Sequence, residues 1–167
     1  MRTPEYMRED GAFTECRLCP NHCRIADGRR GRCLARGREQ GRGVLHTYGQ
    51  ITSGHVDPVE KKPLYHFFPG RPIFSIGSYG CNLSCRFCQN HEISQEICPT
   101  EYIAPERLVE LATEVPDNIG VAFTYNEPGI WYEYIVDSAP LLHRKGLKTV
   151  MVTNGYLEAE PWRNLCG

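Results

Sequence analysis

Between Pro72 and Leu165 a short β-branched or aromatic run alternates three times with a helical pattern, and this alternation narrows the fold more than any other feature. Ile73, Phe74 and Ile76 form the first apolar run. Pro105 then stands at a first helical position, followed by Glu106 and the apolar Leu108, Val109, Leu111 and Ala112, with a stop near Pro116. Residues 119–124 read as a second strand. From Glu127 to about Lys145, Ile130, Tyr134, Leu141 and Leu142 fall on or near one helical face, and Gly146 supplies the C-terminal stop. Pro140 inside that stretch predicts a kink or a split into two helices. Residues 147–152 give a third strand, and Glu158 to Leu165 begins another helix. Strands separated by helices lie parallel and connect through right-handed crossovers, so this part of the chain is α/β.

What precedes it is different. Residues 1–15 are polar and read as a loosely ordered lead-in. Residues 16–43 are rich in cysteine, glycine and arginine with almost no apolar periodicity, so they need a staple rather than a core of their own. Residues 44–71 carry short apolar pieces broken by glycine and proline, which read as irregular strands and turns. The expected division is therefore 1–43, a cysteine- and arginine-rich metal-binding segment; 44–71, an irregular β connection; and 72–167, an α/β core.

The formal net charge of -1 gives no support for an overall polyanion binder. The charge is uneven, however: eight arginines lie between Arg17 and Arg42 against Asp27 and Glu39 alone. They read either as a docking face for an acidic partner or nucleic acid, or as a solvated surface, and the second reading is favoured. The first fifteen positions carry Arg2, Glu5, Arg8, Glu9, Asp10 and Glu15, and no apolar run reaches the roughly 18 residues of a membrane span. An odd count of nine cysteines without an export signal argues for thiols and metal ligands, hence for the cytoplasm.

Parallel sheets gather chemistry at the carboxyl ends of their strands. The three loops expected there are all polar: residues 79–91, Thr-Tyr-Asn-Glu-Pro at 124–128, and Val-Thr-Asn-Gly-Tyr at 152–156. The first holds Cys81, Cys85 and Cys88 in C-x3-C-x2-C spacing. Three soft thiolates on one loop are one ligand short of a closed site, so a four-iron cluster bound there keeps one iron open to a non-protein ligand. The plainer alternative is a zinc knuckle completed by His91 or Cys98. Glu127 could accept from an ammonium, and Asn154 could bind a carboxylate or a ribose hydroxyl. Taken singly, Glu127-Pro128 is an ordinary acidic first helical turn and Asn154-Gly155 an ordinary turn dipeptide. Their shared placement on one rim carries the stronger reading.

A second constellation, Cys16-x2-Cys19-x3-Cys23-x9-Cys33, makes a closed four-thiolate site, with structural zinc favoured and an auxiliary iron–sulfur cluster the alternative. His22 could stand in for Cys23. His55, His66 and His91 lie near the rim in sequence without a distinguishing pattern. Cys98 and Cys166 read as plain thiols, and Trp131, Tyr132 and Tyr134 as helix packing.

The triplet, with Phe87 directly before its last cysteine, resembles the signature of the radical S-adenosylmethionine superfamily. Thr124-Tyr-Asn-Glu-Pro resembles the place where that family usually has Gly-Gly-Glu-Pro, with Tyr125 and Asn126 replacing the two glycines. Three stretches, Asp57-Pro-Val-Glu-Lys-Lys-Pro-Leu-Tyr-His-Phe-Phe-Pro-Gly, Cys-Gln-Asn-His-Glu-Ile-Ser and Val-Thr-Asn-Gly-Tyr, are similar to the branch near pyruvate formate-lyase activating enzymes. More narrowly they are similar to the radical SAM enzyme of the AmmeMemoRadiSam system. The resemblance implies a [4Fe–4S] cluster on Cys81, Cys85 and Cys88 with S-adenosyl-L-methionine on its fourth iron. Phe87 would contact the adenine through its backbone. Glu127, with Asn126, would hold the methionyl amine, and Asn154 would touch the cofactor further along. Reductive cleavage to a 5′-deoxyadenosyl radical would follow, with an electron donor such as a ferredoxin or flavodoxin and a protein or small organic substrate. A membrane or nucleic-acid partner is not expected. The family's partial (βα)6 barrel has about six units and this chain supplies about three, so the chain is expected to be the N-terminal half of such a barrel, a fragment or split product. A non-catalytic iron–sulfur or zinc module docking on a partner is the alternative.

Overall fold

The computed structural model describes residues 2–166; the ends of the first and last expected segments, Met1 and Gly167, lie outside the described residues. The chain opens with an antiparallel meander of β1 (Met7–Asp10), β2 (Phe13–Cys16) and β3 (Arg24–Ala26). The expected loose lead-in is thus a paired hairpin. Its two-residue loop places Gly11 at φ +57, and the Thr14 hydroxyl donates to Glu9 across the strands at 2.8 Å. Strands β4 (Arg36–Glu39) and β5 (Arg42–Leu45) form a second hairpin, closed by Gln40 and Gly41 at φ +50 and +77, the doubly left-handed turn that matches strand twist.

Next come β6 (Gln50–Ile51), β7 (Ser53–Pro58), a 3-10 turn at Val59–Lys61, and β8 (Pro72–Gly77). After β8 follow the short α1 (His91–Gln95), β9 (Glu101–Tyr102) paired with β6, α2 (Pro105–Glu114), β10 (Gly120–Phe123), a 3-10 turn at Pro128–Trp131, α3 (Tyr132–Arg144), β11 (Lys148–Met151) and α4 (Ala159–Cys166). The principal sheet runs β11-β10-β8-β7. Strands β8, β10 and β11 are parallel, as the strand–helix alternation requires, and β7 pairs antiparallel on the far side of β8.

Both faces of this sheet are covered. Ile76, Val121 and Phe123 pack with Leu108, Ala112 and Tyr134 of α2 and α3 on one face, while Ile73 and Ala122 meet Val59, Leu64 and Phe67 on the other. Burial on two faces explains why these strands read as continuous apolar runs. Pro140 does not split its helix: α3 runs unbroken through it. The change of helix type falls earlier, where Pro128 opens the 3-10 turn and Trp131 passes the chain into α3. Among the described residues no helix is long and apolar enough to cross a membrane.

The solvated reading of the arginine-rich segment fails at two of its eight arginines and holds in part at others. Arg36 and Arg38 are buried, Arg30 donates to Leu34 O (3.1 Å) and the Tyr79 hydroxyl (3.0 Å), and Arg32 donates to Ser84 Oγ at 3.0 Å. Arg30 and Arg32 reach the loop after β8 and Arg36 reaches Glu133 of α3, whereas Arg38 donates to Gly11 O within the N-terminal lobe.

Candidate active site

The loop leaving β8 is fastened to the loop leaving β10 before any cysteine is reached. At Gly77 a side chain would press on the Thr124 carbonyl at 2.7 Å, so the two strand ends approach as closely as backbone permits. Asn126, buried, accepts from Ser78 N at 3.0 Å and donates to the carbonyls of Tyr79 (3.2 Å) and Gly80 (3.1 Å). Its amide is thereby committed to the backbone of residues 78–80. Asn90, at the other end of the cysteine loop, donates to the Tyr125 carbonyl at 2.9 Å.

Tyr125 holds φ +72 where the resembling family has glycine. A bulky residue in the left-handed region is strained, and its surroundings compensate. The Tyr125 hydroxyl donates to Asp57 at 3.0 Å, Lys62 Nζ lies 5.1 Å from the ring centroid, and His55 packs edge-on. Burial raises the Asp57 carboxyl, but the hydrogen bonds from Lys62 (2.8 Å), Lys61 (3.0 Å) and Tyr125 outweigh it and hold the group well below the usual carboxylate range. Burial, then the bond to Asp57, pushes the Tyr125 hydroxyl up to about 12. A cavity of about 240 Å³ opens beside this clamp, lined by Ser53, His55, Gln89, Asn90, Glu92 and Tyr125 among others.

Glu127 joins the second rim loop to the third. Its carboxylate accepts from Gly129 N (2.6 Å), Thr153 Oγ1 (2.6 Å) and Asn154 N (2.7 Å) while 2% exposed. A carboxylate offers about four acceptor positions, so three bonds leave about one for a ligand. Burial raises its pKa, against the lowering effect of those three donors. The folded chain therefore holds the Glu127 proton more tightly than the unfolded one, and stability falls as pH rises from the ordinary carboxylate range through the raised folded value. Glu127→Gln, which cannot titrate, is expected to lack that slope. Urea midpoints of both proteins across this range should diverge in favour of the variant as pH rises, and parallel curves would contradict the assignment.

Asn154 stands on the same rim with its Nδ2 3.7 Å from Cys81 Sγ and 3.0 Å from Asn82 Oδ1, while its Oδ1 accepts from Tyr156 N at 2.8 Å. Cys81 is half-buried and also accepts from Leu83 N at 3.4 Å. Burial pushes its thiol up, the Leu83 donor works against this, and Glu127, Cys85 and Cys88 add to the rise. Cys88 lies 3.4 Å from Ser94 Oγ, its backbone N–H bonds the Cys85 carbonyl at 3.1 Å, and Cys85 and Phe87 are exposed. Among the described residues, no three His, Cys, Asp or Glu side chains stand grouped as ready ligands of one ion. The chemistry of the donor set nevertheless fits an iron–sulfur group. Three soft thiols share one loop, and two N–H donors point at Cys81 Sγ, the arrangement that stabilises a metal-bound thiolate. The alternative fourth ligands stand apart from this arrangement: the Cys98 thiol turns to the carbonyls of Glu92 and Glu96, and His91 is an exposed first residue of α1.

Asn82 was not legible as a functional residue. It is fully buried, donates to Tyr156 O at 2.7 Å and accepts Asn154 on its side chain, and its carbonyl takes Asn21 Nδ2 at 2.9 Å. One residue inside the cysteine loop thus binds the third rim loop and the N-terminal lobe. Cys16, Cys19 and Cys33 are buried and Cys23 partly so, and all four line one small cavity. Burial pushes the Cys33 thiol up to about 11.

Residues 75–166 match the Radical SAM superfamily, and the chain belongs to it. The match begins within β8 and includes the cysteine loop and both other rim loops. The chain is also similar to an uncharacterized protein of Methanocaldococcus jannaschii, 40% identical over 165 residues, which covers 96% of this chain and 49% of the relative. The chain thus spans about half the length of that relative.

Proposed function

We propose that Cys81, Cys85 and Cys88 hold a [4Fe–4S] cluster and that the rim of β8, β10 and β11 binds S-adenosyl-L-methionine beside it, as in the pyruvate formate-lyase activating-enzyme branch and the AmmeMemoRadiSam radical enzymes. When bound, the cluster supplies one electron for reductive cleavage of the sulfonium to methionine and a 5′-deoxyadenosyl radical, which abstracts hydrogen from substrate. The observation that carries this reading is the meeting of Cys81, Asn154 and Glu127 at the carboxyl ends of parallel strands, inside the segment that matches the superfamily.

The chain's own residues divide the work of binding and orientation. Asn126 holds the backbone of the cysteine loop, Glu127 ties the two other loops and offers its remaining acceptor position to the methionyl amine, and Asn154 donates toward Cys81 or the cofactor. Phe87, exposed, presents its backbone to the adenine. In this reading the cavity beside Tyr125 and His55 takes a substrate group. A cytoplasmic ferredoxin or flavodoxin as donor and a protein substrate belong to the same reading, as properties of the whole protein.

Anaerobic reconstitution with iron and sulfide followed by EPR of the reduced protein tests it. The expected result is a four-iron signal that shifts on adding S-adenosyl-L-methionine and is lost in Cys85→Ser. A signal indifferent to S-adenosyl-L-methionine would leave a non-catalytic binding module instead.

A further inference from the structure

We propose that Cys16, Cys19, Cys23 and Cys33 bind one zinc ion, and that this ion fixes the backbone from which the Cys81–Cys88 loop hangs.

The four thiols come from three different places: the end of β2, the turns between β2 and β3, and the turn before β4. They nevertheless line one cavity, walled by Leu18, Ile25 and Ile130 and measuring about 10 Å³, although they do not stand grouped as ready ligands of one ion in this structure. Four cysteine thiolates around one enclosed space are the ligand set of a closed tetrahedral zinc site, with Zn–S distances of about 2.3 Å. Arg36 closes the cavity. Its side chain is 1% exposed, with Nη1 donating to Glu5 O (2.7 Å) and Nη2 to Glu133 (2.6 Å), yet its Nε–H is buried with no partner. A buried donor without an acceptor is costly, and a metal-held thiolate is an acceptor that a neutral packed thiol scarcely provides. Gly31 keeps the space free: a Cβ there would lie 3.2 Å from Ile25 and 3.5 Å from Cys23 Sγ. Simple apolar packing of four cysteines accounts for the burial but not for the orphaned arginine donor.

The residues beside these cysteines reach the other cysteine loop directly. Asn21, between Cys19 and Cys23, donates to Asn82 O at 2.9 Å. Arg32, next to Cys33, donates to Ser84 at 3.0 Å, and the Cys33 carbonyl lies against Gly80. Three attachments thus fall on residues 80–84, the stretch that carries Cys81 and leads into Cys85.

The test uses the full chain purified without added metal, as wild type and as the variant C81S/C85S/C88S, which has no triplet. Plasma mass spectrometry is expected to find about one zinc per chain in both, and at least tenfold less in C19S/C33S. Titration of the triplet-less variant, which keeps six of the nine cysteines, with an organomercurial should complete zinc release by about six equivalents. In the triplet-less variant, stripping the zinc should speed hydrogen exchange across residues 78–90 at least tenfold while β10 keeps its protection. Iron and sulfide in place of zinc in that variant, no metal at all, or unchanged exchange over 78–90 would each overturn the proposal. Because the triplet-less variant cannot carry the radical cluster in either arm, these failures are distinct from failure of the enzymatic reading, which would show as an unresponsive EPR signal in the wild type.

Discussion

Arg36→Ala is expected to destabilise the chain by about 3–5 kcal/mol in urea unfolding, the cost of leaving one member of a buried ion pair alone. Arg36 and Glu133 are 1% and 2% exposed and 2.6 Å apart, and they join residues 97 positions apart in sequence. Arg36 also donates to the Glu5 carbonyl, and Glu133 accepts the Glu5 N–H at 2.7 Å, so one pair holds the first strand's approach, β4 and α3 together. Removing the guanidinium leaves a carboxylate in a desolvated site with a single backbone donor. The double variant Arg36→Met with Glu133→Leu is expected to recover most of the loss, since apolar groups of similar volume replace a buried pair at little net cost. A loss below about 1 kcal/mol for the single variant would mean that the lobe is anchored elsewhere.

The pair illustrates why half of this fold was readable and half was not. From residue 72 the signals are local: Pro105 opens α2, Gly146 closes α3, and doubly buried strands announce themselves as apolar runs. The N-terminal lobe has few apolar positions, so its strands leave no periodic trace. Its order comes from distant polar partners such as Arg36 with Glu133 and Asn21 with Asn82. Pro140 does not split α3, which runs from Tyr132 to Arg144 through it, so of the two expected outcomes the split is the one excluded. At the site, the triplet and the rim were visible as spacing and as strand ends. The commitments of individual amides were not. Asn126, which the resemblance placed at the methionyl amine, spends its side chain on residues 78–80, while Asn82, which carried no reading of its own, ties three loops. Spacing reveals which residues share a loop; it carries no information about which polar atoms the loop itself consumes.

Gly80→Ala should be the most damaging single-methyl change near the site, and its comparison with Gly28→Ala separates two causes. Gly80 sits at φ +90 and Gly28 at φ +69, so an alanine at either pays the left-handed penalty of roughly 1–2 kcal/mol. Around Gly28 nothing lies within 4 Å of a built Cβ, whereas at Gly80 that atom would collide with the Cys33 carbonyl oxygen and lie 3.3 Å from Ile130. Backbone cannot swing aside as a side-chain tip can, so Gly80→Ala must push the two cysteine lobes apart. Overpacking of this kind adds roughly 1–3 kcal/mol beyond the strain shared with Gly28→Ala. The displaced residue also gives its carbonyl to Asn126 and its N–H to the Ile93 carbonyl, so the shift passes directly to Cys81. Urea unfolding should show the excess loss, and reconstituted iron per chain should fall in Gly80→Ala while remaining at the wild-type level in Gly28→Ala. Equal stability losses with equal iron loading would mean that the contact between Cys33 and Gly80 does not govern the loop, because both substitutions place an alanine at a left-handed glycine and only Gly80 has backbone in the way of the new methyl.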